Sequence, residues 1–298
     1  MDILKKLTEE FPSIREDRAQ NIINLIDEGN TIPFIARYRK EMTGSCDDQV
    51  LREFNDRLLY LRNLEKRKEE VAESITDQGK MTEEIRQALD AATTLTEVED
   101  IYRPYKQKKK TRASVAIEKG LQPLADFILA QDKNADVRAE AEKYVDEEKG
   151  VATADEAIAG AKDIIAEIVS DDANVRKKLR NLFMKNGEIQ TKLVNADKEG
   201  AKTYEMYADY SEPVAEIKSH RVLAVNRGEK EDFLKVKVVF NDEIAKRIAG
   251  AGYLKDGGYS TQLVQEAVED GYDRLIYPSI EREIRAALTE SASEQAIK

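Results

Sequence analysis

The chain has 298 residues, of which 41% are hydrophobic and 36% charged, and its formal net charge is −11. This balance excludes a disordered chain and is typical of a helical protein with long charged faces. We find no apolar stretch near the ~20 residues that cross a bilayer and no signal-peptide block, and the single Cys46 cannot form an internal disulfide. We therefore expect a cytoplasmic protein.

The charge is unevenly distributed along the chain. Residues 1–112 hold 21 basic and 23 acidic side chains, a net of −2, so the remainder carries −9. Because the acidic remainder repels phosphate at a distance, we expect any nucleic-acid contact to be confined to the first part.

The first part of the chain reads as helices. An apolar stripe in REDRAQNIINLIDEGN predicts a helix that ends near Gly29. Thr31 suits the N-cap of a short helix, with Pro33 in the first turn, where a missing N–H costs little, and with Gly44 at the end.

The longest periodic run extends over residues 47–78. Asp47 and Asp48 suit the positive end of its helix dipole, and Gly79 suits its C-terminus. We expect this helix to act as a strut between packed units. Its apolar residues recur at three-, four- and seven-residue spacings: Leu51, Phe54, Leu58, Leu61, Leu64, Val71 and Ile75.

Two short helices follow the long one. Thr82 predicts the cap of the first, and TEVE, residues Thr96 to Glu99, predicts a capping box that opens the second. That second helix must stop near Tyr102, before Pro104.

A basic run comes next, in the sequence IYRPYKQKKKTRASVA. Between Arg103 and Arg112 six of ten residues are basic and none is acidic. The run can neutralise phosphates while Tyr102 and Tyr105 stack bases. The alternative is that both tyrosines pack on neighbouring helices and the lysines stay solvated and unpaired. The candidate phosphate-binding residues are Lys106, Lys108, Lys109, Lys110 and Arg112.

The second part of the chain is helical up to about residue 186, with a capping box at Thr153 and Glu156. From Gly187 onward, EIQTKLV and FLKVKVVF alternate with period two and predict a small two-stranded antiparallel patch. The glycine-rich segment 250–260 predicts a connecting loop, and a helical pattern then continues to the last residue, interrupted by Pro278.

Catalytic and metal-binding patterns are not found in the sequence. One Cys and one His cannot supply a zinc site, and His220 reads as structural, with Ser219 capping its helix. Neighbouring carboxylates such as Asp171 and Asp172 are expected where helices begin. GAGYLK resembles the start of a dinucleotide fingerprint, but Lys255 stands at the third glycine position. We expect no enzyme activity, no metal and no cofactor.

Six blocks of the sequence resemble successive signatures of the bacterial Tex transcription accessory proteins, over about residues 1–298. They are TIPFIARYRKEMTG, LREFNDRLLYLRNLEKRKEEV, VEDIYRPYKQKKKTRASVA, GLQPLADFI, SHRVLAVNRGE and YPSIEREIRAALTESASEQAIK. The resemblance implies a helix-turn-helix-like N-terminal region, followed in the family by an RNase H-like (YqgF) domain, helix-hairpin-helix motifs and an OB-fold RNA-binding domain. We expect the chain to end before the RNase H-like domain.

The resemblance also gives IPFIARYRKE a second interpretation. If this segment is the second helix of a helix-turn-helix, its basic side, formed by Arg37, Arg39 and Lys40, can touch a phosphate backbone. The alternative is that Arg37 and Arg39 pair with carboxylates of the long helix, such as Glu53.

We therefore predict a mainly α, elongated multi-helix scaffold with four segments: a helix-turn-helix-like region (1–112), a helical bundle (113–186), a small α+β segment (187–259) and the start of a long helix (260–298). Its expected function is to scaffold the downstream RNase H-like and OB-fold domains and to make a weak, sequence-independent contact with RNA or DNA. The rival function is a protein-interaction module that docks the transcription machinery.

The last helix carries a stripe at four-residue steps. We expect residues after about 285 to extend past the folded body, where they either fray or bury the stripe against a second copy. The stripe consists of Ile276, Ile280, Ile284, Leu288 and Ala292.

Overall fold

The computed structural model describes residues 1–297, which form two compact units, one from Met1 to Tyr105 and one from Lys106 onward. The predicted mainly α class is confirmed: the described residues form sixteen α-helices and one three-stranded antiparallel sheet. None of the helices in this described part is long and apolar enough to cross a membrane.

The first unit is entirely helical. Its helices are α1 (Ile3–Glu10), α2 (Glu16–Asp27), α3 (Ile32–Tyr38), α4 (Lys40–Thr43), α5 (Asp48–Asp77), α6 (Glu83–Ala91) and α7 (Leu95–Tyr102), followed by a 3₁₀ turn at Arg103–Tyr105.

Helix α5 forms the frame of this unit, and its predicted extent is confirmed. Asp47 accepts a hydrogen bond from the Val50 N–H at the start, and Gly79 follows the last turn with φ +69°. All seven predicted apolar positions are buried. Lys68, also in the stripe and only 6% exposed, donates from Nζ to the Asp90 carbonyl oxygen at 3.1 Å. The stripe is thus mostly apolar but contains one buried cation that the pattern did not predict.

Two of three predicted caps in this unit are confirmed. Thr31 accepts from the Phe34 N–H, and Thr82 accepts from the Ile85 N–H. The predicted capping box at Thr96 is wrong, because the helix begins two residues earlier: Thr94 accepts from the Glu97 N–H. Two threonines at i and i+2 offer competing caps, and sequence spacing alone does not choose between them.

The second unit contains the remaining elements. They are α8 (Arg112–Glu118), α9 (Gln122–Ala130), α10 (Val137–Glu142), α11 (Ala154–Ser170), α12 (Ala173–Asn186), β1 (Glu188–Leu193), β2 (Asp209–Pro213), α13 (Ser219–Lys230), β3 (Leu234–Val239), α14 (Asp242–Gly250), α15 (Tyr259–Gly271) and α16 (Tyr277–Ile297).

The sheet has one strand more than the sequence predicts. Strands β1 and β3 are the two predicted strands, and they pair antiparallel with Ile189 opposite Val238. The prediction of a two-stranded patch is wrong because β2 pairs with the other edge of β1, giving the order β2-β1-β3. The sequence of β2, DYSEP, has no β-branched residue, and no side chain of this edge strand is buried, so it carries no period-two apolar signal.

One hydrophobic core runs through most of the second unit. It joins buried residues of α8, α9 and α11 to Ile189 of β1, Val238 of β3 and Ile284 of α16. A smaller cluster around Tyr204 and Phe233 lies beside it. The helical, α+β and C-terminal segments therefore share buried surface, while their assignment as separate domains stays a prediction.

The expectation that residues after about 285 extend past the folded body is wrong. Ile284 and Ala292 are each only 1% exposed, and Leu288 packs against the core of its own unit. Polar contacts with α13 continue the packing: Arg285 Nη2 lies 2.8 Å from Glu229 Oε1, and Asn226 Nδ2 donates to Thr289 Oγ1 at 2.9 Å. Because α13 covers the predicted stripe, no second copy is needed to bury it.

The interruption predicted at Pro278 takes the form of a π-helical turn, Tyr272–Ile276, between α15 and α16. The Tyr277 N–H bonds to the Tyr272 carbonyl oxygen, five residues back. Widening the helix just before Pro278 accommodates a residue that has no N–H to donate.

The packing of α16 predicts how its last turns respond to a buried charge. Ala292→Asp places a carboxylate at a position that is 1% exposed and should lower the free energy of unfolding by about 2 kcal/mol. Ala296→Asp, at an exposed position of the same helix, is the control. Hydrogen exchange should show faster exchange after residue 285 for Ala292→Asp only, and equal exchange in both variants would contradict the packing.

A close helix contact gives a second prediction. A Cβ at Gly271 would lie 2.9 Å from the Ala166 carbonyl oxygen of α11, whereas one at Gly252 would meet nothing within 4 Å. Gly271→Ala should therefore destabilise the protein by about 1–2 kcal/mol in chemical denaturation, against the usual helix-stabilising effect of alanine. Gly252→Ala should leave the midpoint unchanged. A stabilised Gly271→Ala variant would show that the two helices can separate freely.

Candidate nucleic-acid interface

The first basic patch lies at the end of α3 and the start of α4. The Thr31 cap fixes the start of this helix, and Ile35, which is fully buried, fixes the face that contacts the unit core. Arg37 and Lys40 are consequently exposed, and Arg39 is half-buried at the junction of α3 and α4. Hereafter these three residues are called the α3 patch.

The guanidinium groups of this patch lie over aromatic rings. Arg37 stands 5.4 Å from the centroid of Tyr38, and Arg39 stands 5.1 Å from the centroid of Phe34. Arg39 Nη1 also donates to the Tyr38 carbonyl oxygen at 2.9 Å. Both cations are therefore held against the surface while retaining donors for an anion.

The alternative that Arg37 and Arg39 pair with carboxylates of the long helix is wrong. The Glu53 carboxylate instead accepts from Gln49 Nε2 at 2.9 Å. The α3 patch forms no ion pair with any described residue.

The arginines of α5 differ from those of the α3 patch. Arg57 donates from two nitrogens to Glu10 at 2.6 and 2.7 Å, and Arg62 does the same with Asp27 at 2.7 and 2.9 Å. The hydrogen bond from Arg62 lowers the pKa of the Asp27 carboxyl, although the pair is solvent-exposed. These arginines of α5 therefore form ion pairs with carboxylates of α1 and α2, whereas the α3 patch forms none within the described residues.

The second basic patch is the run before α8. The start of α8 is fixed by a reciprocal cap, in which Thr111 accepts from the Ser114 N–H and Ser114 accepts from the Thr111 N–H. Lys106, Lys109, Lys110 and Arg112 are exposed and form no ion pair within the described part of the chain. These four residues are called the α8 patch.

Lys108 does not follow the prediction that the lysines of this run stay unpaired. Its Nζ contacts Asp171 and lies 3.1 Å from Glu167 Oε1, and its side chain is 26% exposed. Glu167 also accepts from the Thr111 hydroxyl at 2.9 Å. These carboxylates lie at the end of α11, about 60 residues away in sequence. Local composition therefore does not reveal that Lys108 is paired. Lys108 anchors the run.

A groove of about 550 Å³ adjoins the α8 patch. Its lining combines Lys110 and Arg112 with small apolar side chains of α8 and α11, including Val115 and Ala159. Burial raises the pKa of Asp163, the carboxyl on the α11 side, and the nearby charges of Arg274 and Arg112 oppose this rise.

Sequence reasoning missed two cations beside this groove. The Lys119 and Lys149 ammonium groups lie near the turns at Gly150 and Gly120, each 3.7 Å from where a Cβ on that glycine would stand. Both glycines have positive φ, near +84° and +79°. In the sequence, a glycine that directly follows a lysine predicts each of these turns. That the two turns lie close together is visible only in the folded structure.

The two tyrosines next to the run pack on helices of the first unit, as the solvated-loop interpretation proposed for them. The Tyr102 hydroxyl lies 2.9 Å from Ser74 Oγ, with Arg67 5.3 Å from the ring centroid. Tyr105 packs against the same core, and its carbonyl oxygen accepts from Gln78. Both tyrosines are half-buried by this packing.

The remaining chemistry-bearing residues form no site in the described part of the chain. No group of three or more His, Cys, Asp or Glu residues there is placed to hold a metal ion. His220 is exposed, and the predicted Ser219 cap is wrong, since α13 begins at Ser219 and its hydroxyl contacts Gln295. Asp172 caps α12 as predicted, whereas Asp171 ends α11 and contacts Lys108.

Comparison with protein families gives two matches. Residues 1–76 match the Tex-like protein N-terminal domain, and residues 132–298 match the Tex central region-like family. The α3 patch lies inside the first match, and the α8 patch lies between the two.

Three similar proteins come from distant organisms. The chain is 46% identical to YdcI of Bacillus subtilis over 99% of its length, and 37% identical to the transcriptional accessory protein Tex of Neisseria gonorrhoeae over 100%. It is 29% identical over 93% of its length to the human S1 RNA-binding domain-containing protein 1. The chain spans less than half of these relatives: 41%, 40% and 29% of their lengths, respectively.

The different environments of two neighbouring lysines predict different effects on stability. Lys108→Met leaves Glu167 and Asp171 without their cation and should lower the free energy of unfolding by about 1–2 kcal/mol. Lys109→Met removes the same charge from an unpaired side chain and should change it by less than about 0.5 kcal/mol. Chemical denaturation of both variants measures the difference, and equal midpoints would place Lys108 in solvent.

Proposed function

The chain belongs to the Tex family, and on that basis we propose that it is a non-enzymatic helical scaffold of a transcription accessory protein that contacts nucleic acid without reading its sequence. The α3 patch and the α8 patch bind the phosphates of the nucleic acid. A cytoplasmic location is part of the same proposal.

One observation carries this function: the basic side chains of both patches lack carboxylate partners in a chain with more acidic than basic residues, 59 against 48. Surface cations of an acidic protein readily find carboxylates, as Arg57 and Arg62 do. Cations that remain unpaired and close together produce a local positive potential that attracts a polyanion.

The type of side chain supports electrostatic rather than sequence-specific binding. Lysine donates as a flexible point charge, which suits phosphate and not the fixed edges of bases. With three lysines and one arginine in the α8 patch, the expected binding is weak and strongly salt-dependent.

The names of two relatives agree with this function. One is called a transcriptional accessory protein and another an S1 RNA-binding domain-containing protein. Those names describe proteins more than twice as long, so RNA binding by this chain rests on its own cations. We further propose that α2 and α3, joined by a four-residue turn, act in the manner of a helix-turn-helix, with the α3 patch facing the phosphate backbone.

Charge reversal tests the α8 patch. Replacing Lys106, Lys109 and Lys110 by Glu should reduce the affinity for a labelled RNA at least tenfold and make log K less dependent on log salt, by about 2 units of slope for three lost contacts. Because none of these lysines is paired, the melting temperature should stay within about 2 °C. Fluorescence anisotropy between 50 and 200 mM salt measures both quantities.

A charge-matched control lies elsewhere in the second unit. Lys230, Lys235 and Lys237 are exposed, and their replacement by Glu changes the net charge equally. If both triple variants lose affinity alike, only net charge matters and the α8 patch is not the contact. Salt-insensitive association with a protein, and none with RNA, would support the rival docking module instead.

A further inference from the structure

We infer that Phe34 and Tyr38 form a base-stacking platform for single-stranded nucleic acid. This inference rests on the proposed function and deepens it, because it assigns a binding role to aromatic side chains that take no part in the electrostatic contact. The ligand class is a strand with unpaired bases, DNA or RNA.

The exposure of Tyr38 sets it apart within the first unit. It is 53% exposed, while the other aromatic residues of residues 1–105 are buried or half-buried. Phe54, for example, is fully buried beside Phe11 in the core. The helix thus presents a large flat ring to solvent, although the unit has a core that receives every other ring at least in part.

The two rings form one surface. Phe34 and Tyr38 are separated by one helical turn, so both lie on the same side of α3. Their centroids are 5.2 Å apart and their planes are inclined by 48°. A base can stack on the exposed Tyr38 ring, and the adjoining edge of Phe34 extends the apolar contact.

Cations adjoin this surface. Arg37 and Arg39 lie over the Tyr38 and Phe34 rings, respectively, and Lys40 follows directly in the chain. Phosphates flank every base of a strand, so cations beside a ring match the alternation of base and phosphate. The hydrogen bond from Arg39 Nη1 to the Tyr38 carbonyl oxygen holds one cation beside the rings.

The geometry favours a single strand over a duplex. In a duplex the base faces are covered by their neighbours, and only phosphates and groove edges are available to a helix. A platform that combines π-faces with cations gains about 1–3 kcal/mol per stacked base only if the bases are free. Cations alone, without the rings, would not discriminate between the two forms.

An abasic strand separates stacking from charge. We compare a labelled single-stranded DNA with an abasic oligonucleotide of equal length, which keeps the phosphates and lacks the bases. Tyr38→Ala should weaken binding of the base-bearing strand about tenfold, leave binding of the abasic strand unchanged and leave the salt slope unchanged. Tyr38→Phe, which keeps the ring, should bind both as the unmodified chain does.

Two further variants serve as controls for folding and for the position of the tyrosine. Tyr38→Leu keeps an apolar side chain without a ring and should behave like Tyr38→Ala, which excludes loss of folding as the cause. Tyr259→Ala removes a tyrosine of similar exposure, 47%, from the second unit and should have no effect.

The outcomes distinguish this inference from the proposed function. Unchanged affinity of Tyr38→Ala, or equal losses for both strands, overturns the platform. If the lysine charge reversals still weaken binding in that case, the electrostatic contact stands alone. If the unmodified chain binds neither strand at low salt, both proposals are wrong. If Tyr38→Ala instead abolishes association with a protein while strand binding is intact, the surface is a protein-docking site and the platform is overturned.

Discussion

The pairing of cations with carboxylates is the constraint on which the functional interpretation of this protein depends. An acidic chain offers its arginines and lysines many possible partners, and some of these cations form ion pairs that join helices. Lys108 is held by the carboxylates at the end of α11, and Arg285 by Glu229 on α13. In the α3 and α8 patches, several exposed or half-buried cations lie close together in the chain and form no ion pair with any described residue. The proposed contact with a polyanion rests on this local clustering and not on the overall charge.

The same pairing organises the first unit around α5. The shorter helices pack against its apolar stripe. Its arginines form ion pairs with Glu10 of α1, Asp27 of α2 and Glu99 of α7. Exposed ion pairs of this kind add little stability, so the unit is held mainly by the buried stripe. These ion pairs link α5 to three neighbouring helices, whereas the α3 patch forms no ion pair with any described residue.

Much of the candidate site could be predicted from the sequence, but its partners could not. A basic run without acidic residues is visible in the sequence, as is the alternation of Arg37 and Arg39 with apolar positions. Whether a lysine is free or paired depends on side chains distant in sequence, and Lys108 and Lys109 differ for that reason alone. The groove beside α8 and the approach of Lys119 and Lys149 likewise depend on two turns that only the fold brings together. Ring exposure at Tyr38 has no sequence signal, since the same spacing from Phe34 would serve a buried helix face equally well.

The sequence by itself determined the helical class, the extent of α5, most helix caps and two of three strands, because these follow from periodicity and from local backbone hydrogen bonds. The tertiary structure decided what covers each surface. Strand β2 exists because β1 offers it a free edge, although its own residues show little strand preference. The stripe of α16 is buried because α13 lies against it, and a pattern that demands burial does not state which neighbour provides it.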